Sequence, residues 1–180
     1  MKDKGIGQLA LAGLFIAFGL VLPMMFHAVG LGSTFLPMHI PVLLAGFVLE
    51  APFAAAAGAM TPFLSSIFTG MPPTFPVMPY MVFELAVYGT MTSILYRKMR
   101  LNVYISLILG MISGRIMAGI VVWILATFFA TQLPGPVAFI TGSVVTGLPG
   151  IIIQLVFIPP LVMLLQKYRL KELGDDTVEA

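Results

Sequence analysis

Apolar residues follow one another along this chain for turn after turn, with neither the two-residue alternation of a half-buried strand nor the single stripe of a surface helix. Stretches of about 20 such residues, broken by polar or Pro/Gly positions, read as membrane-spanning helices. The breaks predict six spans, at 6–26, 35–49, 53–69, 77–96, 103–129 and 140–165. The second is short, roughly 15 residues at about 1.5 Å rise each against a hydrocarbon core of about 30 Å. The predicted fold class is an all-α membrane protein, a single bundle of six transmembrane helices over residues 1–180, with a short solvated tail from about 172.

The basic residues test that count, because Lys and Arg near span ends stay on the cytoplasmic side. Six spans bring Lys2 and Lys4, then Arg97, Lys98 and Arg100, then Lys167, Arg169 and Lys171 to one face, which is eight of the nine. Without the second span the Arg97 cluster falls opposite the N-terminus. Both termini are therefore expected in the cytoplasm. The outer connections, 28–34, 70–76 and 130–139, carry no charge. The middle one, Gly70-Met71-Pro72-Pro73-Thr74-Phe75-Pro76, reads either as a semi-rigid lid or as a plain stiff connector. Met1-Lys2-Asp3-Lys4 has the outline of a secretion signal, but the apolar run after it is too long and lacks a small-x-small cleavage site.

Composition agrees: 59% of the residues are apolar and 9% charged, at a mean hydropathy of +1.07. A soluble domain carries roughly 25% charged residues. The net charge of +2 comes from short topology clusters, so a nucleic-acid partner is not expected. With no cysteine, iron-sulfur and thiol chemistry are excluded. His27 and His39 have no carboxylate close by in sequence, no metal site is expected, and no cofactor is implied. No Walker lysine loop and no nucleophile with a base at its depth appears, so the chain is read as a non-enzyme that has no nucleotide site of its own.

Ionisable groups inside a span cost roughly 2.5 to 3.5 kcal/mol and tend to face a partner or a cavity. Glu84 and Arg115 lie well inside theirs. Counting about 1.5 Å per residue from Arg97, Arg100 and Lys167 sets Glu84, Arg115 and Gln154 all roughly 20 Å above the basic face. Tyr80, Glu84 and Tyr88 form one stripe; Ala118 and Gly119, and Gly147 and Gly150, leave room outward of Arg115 and Gln154. These residues describe a cavity open to the outer face, with an aromatic wall and a polar floor. The alternative is an ion pair between Glu84 and Arg115 that only ties helices together, with small residues serving close packing. His39, Trp123 and Ser65 are further candidate ligand contacts. Each has a plain reading too: a hydrogen-bonded rim histidine, an interfacial anchor, and a hydroxyl bonded to a carbonyl like Thr61 and Ser66. On the first helix Ala10, Gly13 and Ala17 form a small-residue stripe that faces either this bundle or a separate membrane subunit.

The run Phe35-Leu36-Pro37-Met38-His39-Ile40-Pro41-Val42-Leu43-Leu44-Ala45-Gly46, with Thr69-Gly70-Met71-Pro72-Pro73 and Glu84-Leu85-Ala86-Val87-Tyr88-Gly89, resembles the substrate-binding membrane subunits (S components) of energy-coupling factor (ECF) vitamin transporters. The resemblance implies high-affinity capture of a vitamin or related small heterocycle from outside a bacterial plasma membrane. It also implies partners, a transmembrane coupling subunit and two ATP-binding subunits, docked through Ala10, Gly13 and Ala17. Arg115 suits a carboxylate, Glu84 an N–H donor, and the tyrosines a flat ring, as in nicotinate-like, pyridoxine-like or deazapurine-like compounds. The alternative function is a self-contained small-solute channel or secondary carrier.

Overall fold

A computed structural model describes residues 2–27, 35–129 and 133–175. Among them every regular element is helical: α1 (Lys2–His27), α2 (His39–Val48), α3 (Ala51–Thr69), α4 (Val77–Ser93), α5 (Val103–Phe128), α6 (Pro136–Thr146) and α7 (Leu148–Asp175). A single π-helical turn, Ile94–Lys98, prolongs α4. Four stretches are long and apolar enough to cross a bilayer, Lys4–Phe26, Ala51–Thr69, Val103–Phe128 and Leu148–Lys167. The expected outer connection 28–34 lies outside the described residues, as do 130–132 of the last one.

Two expected elements take a different form. The second shrinks to the 10 residues of α2, because Leu36, just before Pro37, sits at φ 49° and interrupts the helix. The last expected span, 140–165, is two helices that meet at Gly147. Pro149 has no N–H and disfavours helical backbone in the residue before it, yet it is tolerated in a first helical turn, so one helix ends and another begins. At its far end α7 runs on through Asp175, into the expected tail.

The centre of the molecule is the antiparallel trio α3, α4 and α5, and missing side chains bring their backbones together. A Cβ on Gly58 would strike the Leu85 carbonyl, and one on Gly89 the Ala54 carbonyl. These pairs, 54 with 89 and 58 with 85, step by one helical turn along α3 and α4. On the other side of α4, Gly110 lies against Thr92 and Gly114 against the Tyr88 ring. Apolar lipid gives helices no hydrophobic reason to associate, so such close contact supplies the dispersion that holds them. Val42, Leu43, Leu85, Leu107, Ile158 and Val162 fill the core beside the trio.

At the end of the bundle that carries Lys4 and Arg97, side chains satisfy carbonyl and amide groups left over where α2 ends. Arg97 donates to the Val48 carbonyl and Ser93 Oγ to the Leu49 carbonyl at 2.8 Å, while Gln8 Oε1 accepts from the Glu50 N–H at 2.8 Å. Around the outside, Ile112, Ile116, Ile120 and Trp123 of α5 are exposed, as are Leu9, Leu14, Phe18 and Val21 of α1. An apolar exterior of this kind is suited to lipid.

Candidate binding cavity

At the end opposite Arg97 the bundle opens into a cavity of about 560 Å³, within the range typical of small-molecule sites. Its floor is laid by α4, where Val77, Tyr80, Met81 and Glu84 recur at helical spacing, together with Arg115 of α5. Pro23 of α1 and the Leu36–His39 approach to α2 form one wall. Met71, Pro72 and Pro73, in the connection after α3, and Phe139, Gly142 and Ser143 of α6 form the others. Apart from Tyr80, Glu84 and Arg115 at the floor and His39, Ser143 and Thr146 in the walls, the lining is apolar.

Glu84 is the focus of those polar groups. The carboxylate, 1% exposed, takes Nη1 of Arg115 on Oε1 at 2.7 Å and the hydroxyl of Tyr88 on the same atom at 2.9 Å. Nε2 of His39 stands 3.7 Å from it, beyond hydrogen-bond reach. Two helices thus contribute opposite charges that neutralise each other in a low-dielectric setting, and a third contributes an imidazole. Arg115 reaches its partner because Gly114, its neighbour in sequence, lets α5 close onto Tyr88 and the Glu84 backbone. Tyr80 and Phe139 meet at 5.0 Å between ring centroids, edge to face.

Of the residues singled out from sequence, Glu84, Arg115, Tyr80 and His39 line this cavity. Tyr88 does not. Buried to 1% exposure behind the floor, it orients the carboxylate instead. Ser65 also stands back from the lining and donates Oγ to the Met71 carbonyl at 2.6 Å, holding the connection that forms a wall. Gln154 is buried on the same face of α7 as Ile158, with both amide atoms lacking a hydrogen-bond partner, and does not line the cavity. Trp123 is 53% exposed on the outer surface of α5, since it follows inward-facing Val122 by one residue, about 100° around the helix. The small residues expected to leave space serve packing: Gly119 faces the Ile140 side chain and Gly147 faces Leu36.

Sequence reading missed Phe139 and the first turn of α6, because 130–139 had the look of an outer loop. The available signal was Gly135-Pro136, a start favoured by the proline at the first helical position. Among the described residues no group of His, Asp or Glu could hold a metal ion.

Residues 7–162 match the family described as the substrate-specific component of ECF transporters. The chain belongs to that family. It is accordingly a membrane protein of solute transport, and an S component is the substrate-binding subunit of its transporter rather than a catalytic enzyme. No curated protein and no solved structure matches the chain. Family membership implies a small-molecule substrate and an energising module of coupling and ATPase subunits.

Proposed function

We propose that this S component captures a vitamin or related small heterocyclic micronutrient in the cavity above Glu84 and Arg115, and delivers it with a separate coupling subunit and two ATP-binding subunits. In this reading the chain crosses a bacterial plasma membrane six times, with both termini in the cytoplasm and the cavity facing out. The observation that carries it is the mostly apolar 560 Å³ cavity with a compensated charge pair at its floor: volume for a drug-sized solute, and polar groups placed to orient it. His39 and Tyr80 share the binding role, Tyr88 and Ser65 support it, and Gln154 and Trp123 act outside the lining.

The first helix supports the partner reading. Ala10, Gly13 and Ala17 are all exposed, and nothing lies within 4 Å of where a Cβ on Gly13 would be. Ala12 and Gly19, on the other face, pack against the bundle. The outward stripe is therefore open to a helix of the coupling subunit.

The experiment that tests the proposal is mass spectrometry of small molecules carried through purification from cells grown in rich medium. One heterocyclic solute enriched over a control membrane protein is expected, near one equivalent per chain. Repeated absence of any enriched solute from a folded preparation rejects the binding role.

A further inference from the structure

A serine or threonine hydroxyl inside a helix can bond back to the carbonyl one turn before it. Thr61, Thr90 and Ser113 do so here, each at 2.7 Å. Thr92 and Ser106 do not. Both are 0% exposed, and neither Thr92 Oγ1 nor Ser106 Oγ has a hydrogen-bond partner among the described residues. Tyr96 Oη is a third hydroxyl oxygen that is buried and without one. Buried polar atoms are nearly always paired, so three exceptions on adjoining helices call for a partner they could share.

The register of α4 against α5 brings the three together. Gly114 lies against Tyr88 and Gly110 against Thr92, where a Cβ on Gly110 would come within 2.5 Å of Oγ1. Four residues forward along α4 are thus matched by four back along α5, and the next step pairs Tyr96 with Ser106. Packing agrees with that step. The π turn that carries Tyr96 touches α5, and Tyr96 packs on the cluster that contains Val103 and Leu107, which share the buried face of α5 with Ser106 and Gly110. Thr92 aims its hydroxyl at α5, Ser106 stands one turn from Gly110, and Tyr96 one turn from Thr92. The three oxygens therefore border a single turn of the α4–α5 seam, between Tyr88 and the Arg97 end.

Each hydroxyl can donate once and accept twice, and none of the three bonds to another. A water molecule in a protein interior takes about three such partners. A cation fits poorly, because the three oxygens are neutral and Arg97 follows Tyr96 in the chain. We infer that Thr92, Ser106 and Tyr96 hold an ordered water between α4 and α5, at a hydration site separate from the solute cavity, whose lining includes none of them. The site extends a polar line along one face of α4, where Glu84, Tyr88, Thr92 and Tyr96 recur at four-residue intervals. It also acts as a brace. Hydrogen bonds through the water join α4 to α5 below the glycine contacts, which supply dispersion alone.

A structure of the full native chain at a resolution that shows ordered water tests the site directly. A density peak within hydrogen-bond distance of at least two of the three oxygens is expected. Hydroxyls that turn to backbone carbonyls or to each other, with no peak between them, overturn the inference. Thermal melts of the chain in lipid nanodiscs give a second, independent reading. Thr92→Val and Ser106→Ala each take one partner from the water, and each should lower the melting temperature by about 2 to 4 °C. Because the two hydroxyls share that water, the double variant should melt little below the worse single. Singles that melt with the native chain, or drops that add in full, mean hydroxyls with separate partners and overturn the shared site. Where a variant fails to fold, the density in the native chain decides alone.

Discussion

Arg115 is tied to Glu84 by a 2.7 Å ion pair inside the bundle, and removal of one partner of such a pair leaves the other charge buried alone. Arg115→Met should therefore lower stability by about 3 to 5 kcal/mol, read as an earlier thermal transition in nanodiscs. It should also weaken solute binding at least about tenfold, since a donor that orients the solute is lost. Undiminished binding by a folded Arg115→Met variant would reduce the arginine to a tie between α4 and α5. These two residues were legible in the sequence because a charge in an apolar run is conspicuous. The partners of Glu84 were harder to sort. Tyr88 is one turn below Glu84 and Tyr80 one turn above it, so helical periodicity puts both on the same stripe; which of them walls the cavity depends on where α6 sits, and Gly114 draws Tyr88 against α5. Trp123 was misleading because depth along a helix says nothing about azimuth.

Elements in this bundle divide by how they are held. In α3 and α4 the backbones touch at Gly58 and Gly89, where even one methyl group has nowhere to go. Gly58→Ala should cost about 1 to 3 kcal/mol by overpacking, measurable as a lower melting temperature, whereas Gly13→Ala on the open face of α1 should leave it unchanged. By contrast, none of the residues of α6 is buried, and an element with few buried contacts opens at low free energy. Amide hydrogen exchange should thus be faster in Pro136–Thr146 than in Val77–Ser93, and bound solute should slow it. Long helices were readable from sequence because about 20 apolar residues have few other uses. The short α6 was not: its start looked like a loop, and the Gly147 break before Pro149 lay inside a run whose hydropathy is continuous.

For the molecule as a whole, the site and the proposed docking face lie on different parts of the chain, so each should be lost without the other. Gly13→Leu, which places a large side chain on the stripe of Ala10 and Ala17, should leave solute binding within about twofold while abolishing association with a coupling subunit in pull-down from membranes, since close helix contact depends on small residues. In liposomes the chain without ATPase partners should bind solute and move none; steady uptake by the chain alone would favour the self-contained carrier. All-helical character and membrane residence could be read from hydropathy alone, and the site's two charges from their depth. The shape of the cavity could not, because it depends on how α1, α2 and α6 lean on the central trio.

That trio has a mechanical consequence. Glycine contacts lock α4 from both sides, against α3 through Gly58 and Gly89 and against α5 through Gly110 and Gly114, so a slide or a roll of α4 by even part of a turn would drive side chains into main chain. Glu84 therefore sits on a stator. On the proposed reading, whatever admits or releases the solute is done by the surrounding walls, while Glu84 stays fixed in place.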